Sequence, residues 1–264
     1  VPIHKIKENM DLQLELCPPN GSNEVRVWVA DVANQERIER IFAEASPQLV
    51  FHVAAYKQVP LMEWHPEEAF RVNVAGTLNV CQAAKEQGAE RVVFISSDKA
   101  ANPVCVVGFT KRIGELLMEA LGEGSSTVFC GVRFGNVFAS RGSAVPTFWR
   151  QIELGGPVTV TDPEVTRFFM TIPEAVSLII QAITFAEQGQ ILILDMGEEI
   201  KIADLARKLI RLRGLRPDQD VQIIYTGLRP GEKLREEMVG RGETMAPTRH
   251  PKVLRVEGKS GISG

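Results

Sequence analysis

The stretch VVFISSDKAANPVCVVGFTKR, residues 92–112, decides the fold of this chain. It starts as a run of β-branched and aromatic residues of strand length, passes through a polar turn and continues with helical spacing. Ser97, Asp98 and Lys99 lie in the turn, and Lys111 lies on the helix. The stretch therefore predicts a buried strand that leads through a polar turn into a helix.

Strand-length apolar runs alternate with helical segments on both sides of this stretch. The predicted strands are VRVWVADV (25–32), QLVFHVAA (48–55), RVVFISS (91–97) and TVFCGVRFGNV (127–137). Their nearly continuous apolar character is typical of parallel strands that are covered on both faces. The segments between them carry apolar residues three and four positions apart, as helices do. This alternation predicts the α/β class, with a doubly wound, Rossmann-like parallel sheet.

The pattern loosens after residue 140. Further helices are predicted in VPTFWRQIELGG, IPEAVSLIIQAITFAEQG and IADLARKLIRLRG, and further strands in GQILILDMG and VQIIYTG. The tail GRGETMAPTRHPKVLRVEGKSGISG has no core-forming period, so we expect it to wrap the surface. We predict a sheet domain over residues 1–140 and a smaller mixed region over residues 141–264.

The start of the chain lacks a feature that this fold normally has. A Rossmann-like sheet begins with a strand and a glycine-rich turn that binds phosphate, and no G-x-G-x-x-G is present. The chain opens with VPIHKIKENMDLQLEL, which has helical character and no strand before it. Either the protein lacks this turn or the sequence begins partway into the fold. We expect the latter, with the N-terminal βα portion upstream of residue 1.

The composition indicates a globular protein with a small negative charge. It has 30 Lys and Arg against 33 Asp and Glu, a net charge of −3, so we expect no nucleic-acid partner. The longest apolar runs are too short to span a bilayer. The four cysteines form no C-x-x-C and lie mostly in apolar runs, which predicts reduced thiols in the cytoplasm. The four histidines lack metal-ligand spacing, and we expect no metal site.

Polar residues follow three of the predicted strands. Asp31 closes the first, Tyr56 and Lys57 follow the second, and the Asp98–Lys99 pair follows the third. Ligands of open α/β sheets bind beyond the carboxyl ends of the strands, so these residues are site candidates. An acid beside an ammonium group offers a proton donor and, where burial lowers the lysine pKa, a base.

Arginines in Gly- and Pro-rich loops are candidates for phosphate binding. They are Arg141, Arg167 and Arg229, the last within the segment GLRPGEK. The planar guanidinium group binds phosphate oxygens in bidentate fashion. Any one of them alone is as well explained as a surface arginine.

Four long segments resemble the nucleotide-sugar 4,6-dehydratases of polysaccharide biosynthesis, extended short-chain dehydrogenases that act on UDP-N-acetylglucosamine. They are FHVAAYKQVPLMEWHPEEAFRVNVAGTLNV, ISSDKAANPVCVVGFTKR, VRFGNVFASRGSAVPTFWRQIELGGPVTVTDPEVTRFFMTIPEA and GLRPGEKLREEM. The similarity runs from about residue 25 to residue 256. The tail segment APTRHPKVLRV is similar to that of long, membrane-anchored members.

The resemblance implies a redox-neutral cycle with NAD or NADP. Hydride leaves C4 of the sugar, a base takes the C5 proton, the C6 hydroxyl departs with acid assistance, and hydride returns to C6. Lys99 is implied as the C5 base, Asp98 as the acid and Lys111 as the lysine that holds the nicotinamide ribose; Ser97 completes the catalytic set. Val107 stands where typical short-chain dehydrogenases have a tyrosine and many long dehydratases a methionine, so it fits a tyrosine-free branch. Deprotonation of the C4 hydroxyl then falls to another group, Asp98 or an ordered water.

The resemblance also implies the binding residues and partners. The cofactor would be bound by Asp31, Val32, Ala54, Ala55, Tyr56, Asn73, Ser96 and Lys111, and the UDP-sugar by Lys57, Asn136, Arg141, Arg167, Arg229 and Glu232. The first domain would bind NAD(P) and the second the nucleotide sugar. We expect a homo-oligomer in the cytoplasm, with a membrane anchor only through a segment upstream of residue 1.

Two other functions remain open. A nucleotide-sugar 4-epimerase shares the scaffold, but it needs the tyrosine that Val107 replaces and has no use for the Asp98–Lys99 pair. A non-catalytic nucleotide-sugar-binding domain is favoured by Val107 and by the missing glycine-rich turn, and disfavoured by the intact Ser-Asp-Lys sequence.

Overall fold

The computed structural model describes residues 26–138, 140 and 142–258. Twelve strands lie within these ranges. They are β1 (Leu49–His52), β2 (Arg91–Ile95), β3 (Val128–Arg133), β4 (Asn136–Val137), β5 (Val158–Val160), β6 (Thr166–Arg167), β7 (Phe169–Met170), β8 (Ile191–Leu194), β9 (Ile200–Lys201), β10 (Ile223–Tyr225), β11 (Thr244–Pro247) and β12 (Val253–Glu257).

Six of these strands form the main sheet, in the order β1-β2-β3-β8-β12-β11. The first four are parallel, and β12 and β11 extend the sheet in antiparallel pairs. The remaining strands form small two-stranded sheets, β10 with β5, β4 with β7, and β6 with β9. The predicted α/β class with a doubly wound parallel sheet is confirmed, with an antiparallel edge added to it.

Helices cover the sheet and fill the second half of the chain. They are α1 (Gln35–Ala45), α2 (Val59–Trp64), α3 (Pro66–Phe70), α4 (Gly76–Glu86), α5 (Val106–Gly122), α6 (Ala144–Glu153), α7 (Ile172–Ile183) and α8 (Ile202–Leu212). Between α3 and α4 the helix continues through a π-helical turn, Arg71–Ala75. The side chain of Asn34 caps α1 by accepting a hydrogen bond from the Arg37 N–H, and Thr171 caps α7 in the same way.

The apolar core lies on both faces of the main sheet and in a separate cluster of the second half. Phe94 and Phe129 pack with Met118 of α5 on one face, while Leu192 and Leu194 pack with α7 on the other. The separate cluster is built from α6, α8, β5 and β10. Because β8, β11 and β12 return to the main sheet, the second half contributes to both cores. The division into domains at residue 140 stays a prediction.

Two expectations about strands are wrong. Residues 27–30 of the predicted strand 25–32 pair with no strand among the described residues, and Val27 and Val29 are exposed. A strand forms only where its backbone N–H and C=O groups can bond to those of a neighbouring strand. Residues that favour strands therefore do not form one without such a neighbour. The tail, in turn, does not simply wrap the surface. It forms β11 and β12, and Val253 is fully buried.

Alternate residues of β1 and the residue after it present exposed apolar side chains on one face of the sheet. Phe51, Val53 and Leu49 are 42%, 62% and 41% exposed, and β1 pairs only with β2 within the described ranges.

Cys81, Cys105 and Cys130 are buried free thiols, and Cys17 lies outside the described residues. None of the helices in the described part of the chain is long and apolar enough to span a membrane.

His52, the last residue of β1, makes the stability of the fold depend on pH. It is 3% exposed, and its Nε2 atom lies 2.8 Å from the Thr77 hydroxyl. Because that hydroxyl donates to the carbonyl of Asn73, it must accept from His52, whose Nε2 therefore carries a proton. Burial, and next the charge of Lys111, lower the pKa of His52 from 6.5 to about 4.

We expect this histidine to destabilise the protein in acid. Below pH 6.5 the unfolded chain protonates His52 while the folded chain does not, so stability falls as the pH drops from 6.5 to about 4. The loss attributable to this residue is about 3 kcal/mol, and His52→Leu should remove it. Urea unfolding at pH 7 and pH 4.5 measures the difference, with His65→Leu, at an exposed histidine, as the control. An identical acid dependence in both variants would contradict the assignment.

Candidate active site at the carboxyl ends of the strands

The turn after β2 holds Ser97, Asp98 and Lys99 in one geometry. Ser97 is extended and caps a short 3-10 turn, Asp98–Ala100, where its Oγ accepts from the Lys99 N–H at 3.3 Å and donates to Oδ1 of Asp98 at 2.8 Å. The N–H of Asp98 donates to the Phe134 carbonyl at 3.0 Å, which ties the turn to the chain just after β3. The local sequence and the neighbouring strand therefore fix the backbone of the predicted catalytic turn.

Asp98 and Lys99 form a buried ion pair. Asp98 is 0% exposed, and its Oδ1 lies 3.0 Å from Nζ of Lys99. Its second oxygen, Oδ2, is buried and has no hydrogen-bond partner among the described residues. A side chain at Gly135 would place its Cβ 3.2 Å from this oxygen, so glycine keeps the space beside it open. Oδ2 is thus left available for a proton or a hydroxyl group.

The charge of Lys99 is set by opposing influences. Burial acts to lower its pKa, but the carboxylates of Asp98 and Glu236 outweigh burial and raise the pKa above the ordinary lysine value. At neutral pH Lys99 is therefore an ammonium group, and it acts as a base only after giving a proton to a neighbour.

Lys111 lies on α5 behind the turn and is almost completely buried. Its Nζ donates to the carbonyl of Ile95 at 2.7 Å and lies 4.7 Å from the centre of the Phe94 ring. Burial lowers its pKa to about 8, against a smaller opposing effect of Glu115. One turn earlier, Val107 is 3% exposed in an apolar cluster and offers no proton-transfer group.

Asn73 fixes the loop after β1. From the π-helical turn, its side chain accepts from the Tyr56 N–H at 2.7 Å and donates to the Tyr56 carbonyl at 2.9 Å. This reciprocal pair holds the backbone next to Ala54 and Ala55, whereas the Tyr56 side chain is exposed. Asn73 therefore acts on the predicted cofactor-binding loop by positioning its backbone.

Three other predicted cofactor residues have partners inside the protein. The half-exposed Asp31 forms a 2.9 Å ion pair with Arg71, and the Val32 carbonyl accepts from Asn79 at 3.0 Å. The hydrogen bond from the Ala33 N–H, and then Arg71, lower the pKa of Asp31. Ser96 is buried and donates to Glu115 at 2.6 Å, so its hydroxyl hydrogen is already used.

A cavity of about 200 Å³ lies in front of Lys99. It brings together six predicted residues, namely Lys57, Lys99, Asn136, Arg167, Arg229 and Glu232. Gln58 and Glu236 are the other polar side chains that line it, beside Val59, Pro60 and Gly231. Ser97, Asp98 and Lys111 do not line it, and Arg141 lies outside the described residues. Four of the lining side chains are cationic and two are carboxylates, a balance that favours an anionic ligand.

The cations of the cavity differ in how far the protein already uses them. Arg167 is 7% exposed and donates to the carbonyls of Thr166 and Leu234, with Glu232 at 3.3 Å from its Nη2. Most N–H donors of this guanidinium group are therefore already used within the protein. The sequence had suggested a loop arginine whose guanidinium group is free to bind phosphate. Lys57 and Arg229 are exposed and form no salt bridge within the described ranges, so they are the cations open to a ligand.

Glu236 is a site residue that the sequence analysis missed. Its side chain is 4% exposed and its Oε1 lies 3.3 Å from Nζ of Lys99 and 3.8 Å from Nε of Arg167. A glutamate in a charged loop segment such as KLREEM is usually solvated. No sequence pattern distinguishes Glu236 from its exposed neighbour Glu237. Only the fold of this loop against the cavity shows that Glu236 is buried while Glu237 is exposed.

The residues present fit one end of a dinucleotide. Lys111 uses one of its three N–H donors on Ile95, which leaves two for ribose hydroxyls, and Asn73 holds the neighbouring loop. No G-x-G-x-x-G turn precedes a helix in the described part of the chain, so these residues fit the nicotinamide-ribose end and not the pyrophosphate.

The fold and the strand-end turn define the class of protein, a Rossmann-like member of the extended short-chain dehydrogenase/reductase superfamily. Within this class, the chain belongs to the polysaccharide biosynthesis protein family, whose model matches residues 3–258. The predicted family is confirmed at this level.

Curated relatives carry two kinds of name. The capsular polysaccharide biosynthesis protein CapD of Staphylococcus aureus is 51% identical over 228 residues, which cover 86% of this chain and 38% of that protein. A UDP-glucose 4-epimerase of Rickettsia canadensis is 37% identical over 243 residues, covering 91% of this chain and 68% of that protein. The chain thus spans well under half the length of the capsular relative.

Solved structures agree with the fold. Pen from Bacillus thuringiensis has a TM-score of 0.85 at 34% identity, over 96% of this chain and 77% of that one. The UDP-glucose 4-epimerase of Thermus thermophilus, solved with NAD, has a TM-score of 0.73 at 21% identity, over 86% and 79% of the two chains. The second likeness concerns the fold alone.

Proposed function

We propose that this protein is a nucleotide-sugar 4,6-dehydratase, which converts a UDP-N-acetylhexosamine into its 4-keto-6-deoxy product with the help of NAD or NADP. The observation that carries the proposal is the Asp98–Lys99 ion pair, in which Lys99 lines a cationic cavity and the buried Asp98 behind it keeps one oxygen without a partner among the described residues. An acid and a base in contact are what the removal of water requires, because one proton is taken from carbon and one is given to the leaving hydroxyl.

The cations of the cavity would bind the diphosphate. Lys57 and Arg229 are open to a ligand, and both line the same cavity as Lys99. Asn136 and Glu232, which line the same cavity, would contact the sugar. A role for Arg141 stays a prediction. The first and second domains would thus contribute to one site at their junction.

The protons of the elimination step balance within the Asp98–Lys99 pair. Transfer of one proton from Lys99 to Asp98 turns the resting ion pair into a neutral base and a neutral acid. In the elimination, Lys99 takes the C5 proton and Asp98 gives its proton to the departing C6 hydroxyl as water leaves, which restores the resting ion pair. The proton of the C4 hydroxyl would leave through an ordered water when C4 is oxidised. When hydride returns to C6, Lys99 would give a proton back to C5, and solvent would then reprotonate Lys99. A bound NAD or NADP would supply reversible hydride transfer between C4 and C6, with Lys111 at its ribose. Ser97, which donates to Asp98, completes the proton-transfer group.

A 4-epimerase is the second candidate, because one relative with 37% identity carries that name. Epimerases of this superfamily use a tyrosine at the position of Val107, and Val107 is buried in an apolar cluster. A non-catalytic binding domain is the third. The dehydratase is preferred because it alone uses the Asp98–Lys99 pair.

Turnover in D₂O separates the three functions. The protein is incubated with UDP-N-acetylglucosamine and NAD or NADP, and the sugar is analysed by mass spectrometry and NMR. A dehydratase yields a product that has lost water and carries deuterium at C5. An epimerase yields an isomer of unchanged mass without deuterium, and a binding domain yields no product; either result would overturn the proposal.

We also expect the protein to form a homo-oligomer, and sedimentation in the analytical ultracentrifuge measures its mass in solution.

A further inference from the structure

Glu236 joins two cations that come from distant parts of the chain. Lys99 belongs to the turn after β2, Arg167 belongs to β6, and Oε1 of Glu236 lies 3.3 Å from the first and 3.8 Å from the second. The carboxylate is almost completely removed from water. A buried carboxylate is costly unless cations compensate it, so these two contacts are structurally required.

The position of Glu236 is set by the backbone around it. The segment before it is docked on β6, because the Thr166 N–H and the Arg167 guanidinium both donate to the carbonyl of Leu234, at 3.0 and 3.2 Å. Nη2 of Arg167 also contacts Glu232 at 3.3 Å. Glu236 lies two residues beyond Leu234, so these hydrogen bonds to the backbone hold its side chain next to Lys99.

Lys99 needs such a support for precise chemistry. Its ammonium group sits on a flexible four-carbon stem, and a single contact with Asp98 leaves the stem free to swing. A second contact from a different segment holds Nζ in one place against the cavity. We propose that Glu236, itself held by Arg167, is a positioning residue that holds Nζ of Lys99 between its own carboxylate and that of Asp98.

The same contact sets the charge of Lys99, so the role can be measured. Removing the Glu236 charge removes one of the two carboxylates that raise the lysine pKa, and it leaves Arg167 unopposed, which also lowers that pKa. The charged and titratable groups that face Lys99 are Asp98, Glu236, Arg167 and Cys105, with Lys57, Arg229 and Glu232 on the same cavity. Only Glu236 is changed in the test.

The test compares Glu236→Gln with Glu237→Gln. Glu237 is the exposed neighbour, paired with Lys233 at 3.2 Å and with Asn102 at 3.1 Å. In the whole protein, NMR of ¹⁵N-labelled lysine side chains reports the pKa of Lys99, whose signal is assigned by its loss in Lys99→Arg. We expect the pKa to fall by about one unit in Glu236→Gln and to stay unchanged in Glu237→Gln.

The role in the reaction rests on the proposed function and has its own measurement. Because the active Asp98–Lys99 pair keeps one proton, loss of that proton from Lys99 sets the alkaline limb of the kcat–pH profile, which should move down by about one unit in Glu236→Gln, with a lower maximum, and should not move in Glu237→Gln. Glu236→Asp keeps the negative charge on a shorter side chain. It should lower the maximum kcat, with a smaller displacement of the limb than in Glu236→Gln. If Glu236→Gln does not fold, Glu236→Asp is compared with Glu237→Gln in its place.

The outcomes separate the two proposals. A shifted Lys99 pKa in a protein without dehydratase activity supports the positioning role and overturns the proposed function. Dehydratase activity with the same Lys99 pKa and pH profile in the Glu236 and Glu237 variants supports the function and overturns the positioning role. A fall in kcat at every pH without a shift of the limb would also overturn it, since a merely structural residue has that effect.

Discussion

Replacing Lys99 with alanine or arginine is expected to lower kcat for the 4-keto-6-deoxy product by about a thousandfold or more, a typical loss when a general base is removed. Nζ of Lys99 lines the cavity and contacts both Asp98 and Glu236, so no other group stands in its place. Arginine is the sharper variant, because it keeps a positive charge between the two carboxylates but cannot be deprotonated.

UDP-sugar binding should change little in Lys99→Arg, since the cations open to the diphosphate, Lys57 and Arg229, are untouched. Calorimetric titration measures the binding, and deuterium incorporation at C5 measures proton transfer directly. Lys233→Arg, at a lysine that reaches the carbonyl of Ala101 beside the turn, is the matched control and should keep normal turnover. Near-normal turnover by Lys99→Arg would end the assignment of Lys99 as the base.

The second large effect is expected on stability, from Glu115→Ala. Arg133 is 0% exposed, and its guanidinium binds both oxygens of Glu115, at 3.0 and 2.7 Å. Glu115 also contacts Arg112 at 2.7 Å and accepts from Ser96 at 2.6 Å. Its removal leaves a buried cation with only part of its compensation, for which we expect a loss of about 3 kcal/mol or more.

Urea unfolding at neutral pH measures this loss. Glu119→Ala, at an exposed glutamate on the same helix, is the control and should change the free energy of unfolding by less than about 0.5 kcal/mol. Part of the compensation survives in Glu115→Ala, because Arg133 also contacts Glu243 at 2.8 Å and the Met238 carbonyl at 2.7 Å. A loss below about 1 kcal/mol would show that the arginine is rehydrated in the variant and that the cluster contributes little.

This cluster also explains why the tail was predicted wrongly. Arg133 in β3 holds the chain at Met238 and Glu243, immediately before β11 and β12 join the main sheet. The tail has no apolar period of its own, because it is an added edge that is held by a buried charge on another strand. A window of neighbouring residues carries no sign of such a partner.

The local part of the fold was predictable from the sequence. Strands β1, β2, β3 and β8 are β-branched apolar runs, and α5 and α8 have apolar residues at helical spacing, so each element is encoded by neighbours within a few residues. The turn of Ser97, Asp98 and Lys99 belongs to the same category, because its cap is made by adjacent residues. The alternation of strands and helices then indicates the parallel sheet.

What only the tertiary structure decided depends on residues that are distant in the chain. Residues 27–30 resemble a strand but lack a ladder partner among the described residues. Arg167 resembles a free phosphate ligand but is held by Leu234 and Glu232, and Glu236 resembles a surface glutamate but lies against Lys99. Backbone pairing and buried charges are satisfied by whichever groups the fold brings together. The sequence by itself therefore determined most of the local elements and the turn of Ser97, Asp98 and Lys99, whereas the non-local packing of the chain decided which strands pair and which charged side chains remain open to a ligand.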